Sequence, residues 1–150
     1  METTISMSKS QKLILNTAYI EEEFFEDVLL IGIVSPKPAH QLIWHLNQSV
    51  NVDFKKNHSH EKKIKDRYFS VFSYEETNKL RENIIYCNRN DAHYLIPEAK
   101  NIDYIWLIKG GHERHDFQRD LLNLLPNISI INYVFEINPE TLKSRAELIL

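Results

Sequence analysis

The longest unbroken apolar run, residues 28–34 (Val-Leu-Leu-Ile-Gly-Ile-Val), lies between Glu26-Asp27 and Ser35-Pro36. It is too short for a buried helix and suits a central strand. Past Pro36 and Pro38, the residues Ala39, Leu42, Ile43, Leu46 and Val50 recur at three- and four-residue steps, which predicts a helix with one apolar stripe that stops at Asn51. Upstream, residues 1–11 are polar and read as disordered, and residues 12–16 alternate weakly enough to predict a short strand ahead of the acidic Glu21-Glu22-Glu23.

Tyr68, Phe69, Val71, Phe72 and Tyr74 crowd into a strand, residues 75–79 turn the chain, and Leu80, Ile84, Ile85 and Tyr86 return it, which predicts a hairpin. The polar run 88–91 reads as a loop. Residues 94–96 are extended before Pro97, and Pro97-Glu98 suits a first helical turn ending near Asn101. A strand follows, with Ile102, Tyr104, Trp106 and Ile108 on one face and Asp103, Ile105, Leu107 and Lys109 on the other, up to Gly110-Gly111. Asp116 is placed to cap a helix carrying Phe117, Leu121, Leu124 and Leu125 that Pro126 ends. Residues 128–137 read as the last strand, and Asn138-Pro139-Glu140 as the start of a closing helix with Leu142, Ala146, Ile149 and Leu150. Strands that follow one another predict a single α+β domain over 1–150, with a mostly antiparallel or mixed sheet of about five strands covered by two or three helices.

Composition narrows the chemistry. The 150 residues carry 18 basic and 21 acidic side chains, and 43% of them are hydrophobic, as in an ordinary globular domain with one core. The single cysteine, Cys87, excludes an internal disulfide and any zinc site needing two thiolates, and it fits a reducing compartment. The polar start lacks a signal-peptide core and the 28–34 run is too short to span a bilayer, so a cytoplasmic protein without membrane contact is expected. Three glycines, Gly32, Gly110 and Gly111, cannot build a Walker loop or a dinucleotide turn, and no Gly-x-Ser-x-Gly elbow is present. No cofactor is expected.

The segment Leu95-Ile96-Pro97-Glu98-Ala99-Lys100-Asn101-Ile102-Asp103-Tyr104 resembles the signature of the IPExxxVDY family of small Bacteroidetes proteins, with Ile102 in place of the signature valine. The resemblance extends to residues 30–35, to Trp44-x-Leu46-Asn47 and to Asn138-Pro139-Glu140-x-Leu142-Lys143-Ser144. It implies a lineage and a cytoplasmic bacterial setting, and it carries no activity, cofactor or catalytic residue. Read physically, Ile96, Pro97, Glu98, Ile102, Asp103 and Tyr104 are architectural: Glu98 caps backbone donors, Asp103 bonds a loop amide, and Tyr104 and Trp106 fill the core. The competing reading makes Glu98 and Asp103 an acid and base pair or a metal site.

Three functional classes remain open, with enzyme activity the less favoured side. The first is a non-catalytic interaction or regulatory protein, a homodimer through a sheet edge or through a patch of Trp44, His45 and Gln48. The second is a nucleic-acid binder using Lys55, Lys56, Lys62, Lys63 and Lys65 of the exposed basic loop 55–65, against which stand the acidic net charge and the lack of an aromatic within the loop. The third is a metal-dependent hydrolase on His112, His115 and Asp116, two histidines three positions apart without a strict motif.

Overall fold

A computed structural model describes the backbone of residues 9–76 and 78–150 and the side chains of residues 17–76 and 78–150. The chain runs α1 (Lys9–Phe25), β1 (Val28–Val34), α2 (Ala39–Ser49), β2 (Lys55–Lys56), β3 (Lys62–Ile64), β4 (Arg67–Phe69), β5 (Val71–Glu76), β6 (Arg81–Cys87), β7 (Arg89–Asn90), β8 (His93–Tyr94), β9 (Tyr104–Lys109), α3 (Arg114–Leu124) and β10 (Tyr133–Ile137). Six strands form one antiparallel sheet in the order β10-β1-β9-β6-β5-β2, and β3-β4 and β7-β8 are separate two-stranded ribbons. The architecture is α+β, as the succession of strands predicts.

Both faces of the sheet are buried, and the period of two in each strand sorts the side chains. Val28 and Leu30 of β1, Ile84 and Tyr86 of β6, and Ile105 and Leu107 of β9 face Phe25 of α1, the 95–102 segment and the carboxyl-terminal residues. Ile31 and Ile33, Ile85, and Tyr104, Trp106 and Ile108 face the opposite way, onto α2 and α3. Leu42, Ile43 and Leu46 are the stripe of α2, and Asn51, at φ 55°, takes the left-handed position that ends it.

Several expectations are corrected. Residues 12–16 are helical, inside the 17-residue α1, whose Phe24 and Phe25 pack onto the core at its carboxyl end. The expected disordered start falls outside the described residues up to 8, and residues 9–11 open α1. Basic segment 55–65 is not a loop: Lys55 and Lys56 pair with Ser73 and Phe72 as an edge strand, and residues 62–64 pair with 67–69, with Ile64 packed onto the core. The 88–91 run holds one strand of the small β7-β8 ribbon, turning at Asp91 with φ 54°. The last strand starts at Tyr133, because residues 125–132 first wind through a 3-10 turn containing Pro126. Asn138 does cap a turn, its side chain accepting from the Glu140 amide, but the carboxyl terminus forms two 3-10 turns at 139–141 and 145–148 and no α-helix.

Candidate functional site

The 96–104 string is organised by a residue just before it. Asn88, fully buried at the end of β6, donates from Nδ2 to the carbonyls of Ala99 at 2.9 Å and Ile102 at 2.8 Å, and its Oδ1 accepts from the Ile96 amide at 2.8 Å. Its own amide donates to the Asp103 carbonyl and its carbonyl accepts from the Leu95 amide. A loop that buries Leu95, Ile96, Ala99 and Ile102 must satisfy its peptide groups internally, and this side chain does so from the centre. Pro97 stays exposed on the first residue of the 3-10 turn Pro97–Ala99, where a missing amide hydrogen costs nothing.

The two acids of the string do not share a site. Glu98 accepts from the Ser144 amide at 2.5 Å and from the Ser144 hydroxyl at 2.9 Å, so it caps the last 3-10 turn of the chain instead of its own. Desolvation pushes its carboxyl upward, but the Ser144 donors and the Lys143 charge outweigh it and hold the group below its ordinary value. Asp103 points elsewhere: its Oδ2 accepts from the Ser35 amide at 2.9 Å and its Oδ1 lies 3.9 Å from the Arg89 guanidinium.

Asp103 lines a hollow of about 520 Å³ between the β1-α2 connection, β4 and β7, together with Ser35, Lys37, Cys87, Arg89 and Tyr104. Its aspartate, serine and tyrosine are engaged. Tyr104 donates its hydroxyl to the Lys37 carbonyl at 2.6 Å, and burial, then Cys87 and Asp103, push its ionisation upward. Ser35 donates to the Ile130 carbonyl at 2.6 Å. Burial pushes the Cys87 thiol up to about 12, with Lys56 opposing weakly, so at neutral pH it is a thiol and a poor nucleophile. The arrangement can hold a small polar molecule at its rim, but it presents no activated nucleophile.

Trp44 is 59% exposed on α2, edge-on to the half-buried His45 at 5.0 Å between ring centroids, and Gln48 is exposed one turn further on. The lysines separate into two groups. Lys55 and Lys56 are exposed on the β2 edge, with Lys55 3.7 Å from Asp53. Lys62 donates to the Ile149 carbonyl at 2.9 Å, Lys63 lies 5.4 Å from the centre of the Tyr68 ring, and Lys65 sits in the β3-β4 turn at φ 55°. Tyr68, outside the basic segment, therefore supplies the aromatic that the segment itself lacks.

His112 and His115 are exposed at the start of α3, and Asp116 lies inside its first turn, bonded to Arg119 at 2.5 Å. Glu113, not Asp116, is the residue ahead of the helix, and it pairs with Lys79. Among the described residues no group of three or more His, Cys, Asp or Glu is placed to hold a metal ion.

Sequence reasoning missed a second buried network on the other side of β6. Arg81 forms a two-pronged pair with Glu76, both contacts at 2.8 Å, and stacks 4.0 Å from the centre of the Phe117 ring. Asn83 donates to Glu76 and accepts from the Trp106 indole at 3.0 Å. The available signal was two polar residues, Arg81 and Asn83, at alternate positions beside Ile84-Ile85 in a strand with both faces covered, where a polar side chain needs a partner. It read β10 within the last strand but not its place at the margin of the main sheet, where Tyr133 is 69% and Phe135 40% exposed. No helix among the described residues is long and apolar enough to cross a membrane. No family model matches the chain, and no curated protein or solved structure matches it.

Proposed function

We propose that this chain is a non-catalytic protein-interaction module of the IPExxxVDY lineage that acts in the cytoplasm through self-association. The observation that carries the reading is the inequality of the two sheet edges. At one end β2 is two residues long and both are lysines, which is how a sheet discourages further strands. At the other, β10 is five residues long, has neither lysine nor proline, and exposes Tyr133 and Phe135. An edge guarded by a single acid, Glu136, is a template for pairing.

The state of the string supports the same reading. Its acids and its tyrosine are committed to Ser144, Ser35 and the Lys37 carbonyl, an architectural use that leaves the exposed aromatic surface as the feature without a structural explanation. Sedimentation equilibrium over a concentration series is the test. The expected result is a weight-average mass that climbs from 17.8 kDa toward twice that value. A mass that stays at 17.8 kDa up to the solubility limit overturns the proposal.

A further inference from the structure

Resting on the self-association reading, we infer that the partner is a second copy of this chain, paired antiparallel through β10 about a two-fold axis at Phe135. The direction of the peptide groups leads there. The Gly110 amide donates to the Asp27 carbonyl, so 27 and 110 are a hydrogen-bonded pair and the odd residues of β1 bond toward β9. Even residues of β1 therefore bond toward β10. With Leu30 opposite Ile137, Gly32 opposite Phe135 and Val34 opposite Tyr133, the odd residues of β10 bond inward. Val134 and Glu136 direct their amides and carbonyls out of the sheet, and none of the described residues' hydrogen bonds ends on those groups.

Two copies of this edge have few registers available. An axis through Glu136 opposes two carboxylates, which repel. An axis through Val134 uses only one strand-borne hydrogen-bonded pair and sets Glu136 against Asn132, outside the strand. The axis through Phe135 employs all of β10: Val134 and Glu136 of each copy exchange both bonds with Glu136 and Val134 of the other. The one charged side chain thus meets a valine and never its own counterpart. On the opposite face Phe135 meets Phe135, and Tyr133 meets Ile137, in the closer non-hydrogen-bonded positions that favour aromatic pairs.

Gly32 prepares this face. A Cβ there would lie 3.0 Å from two Phe135 ring atoms and 3.1 Å from Ile137 Cδ1, so the bare backbone lets the ring lie down across β1. Its other side remains exposed to receive the partner ring.

The test uses a Cys87→Ser background and two kinds of variant. Phe135→Cys should cross-link to itself under mild oxidation. Val134→Cys and Glu136→Cys should each remain uncross-linked alone and join when mixed, because 134 faces 136 of the other copy while like residues are too far apart for a disulfide. Val134→Pro, in the otherwise native chain, removes only an outward amide hydrogen, a position where an edge strand accepts proline. At concentrations where both chains are monomeric it should keep the native urea midpoint, and it should raise the dimer dissociation constant by about tenfold or more. A dimer that forms normally in Val134→Pro, or one that cross-links at 134 alone and not at 135, overturns the pairing while self-association stands. A wild-type chain that stays monomeric overturns both.

Discussion

Replacing Asn88 by alanine tests the account of the string directly. Three hydrogen bonds disappear, but their loss is unequal. The Ala99 carbonyl keeps a second donor, the Ile102 amide at 3.1 Å, whereas the Ile102 carbonyl and the Ile96 amide lose the only partners they have among the described residues. Each buried polar group left bare costs about 1–3 kcal/mol, so two cost about 2–6 kcal/mol. That is a large part of the about 5–15 kcal/mol that holds a domain folded. In urea unfolding, with a slope of about 1–3 kcal/mol per molar for a small protein, the midpoint should fall by about 1 M or more. Asn88→Asp adds a check with a sign. Its carboxylate would face the two carbonyls, which disfavours the charged form and raises its pKa in the folded state, so the folded form holds more protons and stability declines as pH climbs above about 4. If Asn88→Ala unfolds at the native midpoint, the string does not depend on that side chain and the architectural account fails.

The Glu76-Arg81 pair gives a second pH-dependent outcome. Although desolvation opposes it, the bonds from Arg81 and Asn83 hold Glu76 below its ordinary value of 4.5. The stability it contributes is complete above that value and is lost as pH falls through the lower folded value, so the gap in urea midpoint between native protein and Glu76→Gln should narrow toward acid. Arg81→Ala should destabilise by about 3 kcal/mol or more, since it strands a half-buried carboxylate. Gly111→Ala should lower the thermal midpoint clearly, because φ there is +81° and the new Cβ would stand 2.4 Å from Arg81 Cγ. Cys87 should react with a thiol reagent at pH 8 far more slowly in the native protein than in urea, and equal rates would contradict its raised ionisation.

The main sheet was legible wherever burial on one or both faces writes a period into the sequence. The 28–34 run, the α2 stripe and the alternation of 102–109 gave three elements, and the β5-β6 hairpin a further pair of strands, with the correct facing of Tyr104, Trp106, Ile105 and Leu107, but Ile102 lies ahead of β9 and packs on the face of Ile105 and Leu107 instead of with Tyr104. What failed to show is what depends on partners distant in sequence. Asn88 looked like one polar residue among four, because its role is set by carbonyls 11 and 14 positions away. Glu98 is a capping residue, as its position suggested, yet the turn it caps lies 46 positions on. The β10 edge was hidden because its aromatic residues at 133 and 135 carry the alternation of a covered strand, and only the strand order reveals that they lie at the margin.

The tie between Glu98 and Ser144 has a wider consequence as well. The same closing segment supplies the Leu148 carbonyl that accepts from the Tyr86 hydroxyl, and the Arg145 guanidinium that reaches Glu21 of α1 at 2.6 Å. Segment 144–149 thus reaches three separate elements, the turn at 97–99, β6 and α1. A single short segment therefore acts as a bolt across one side of the sheet, and loosening it would free three elements at once.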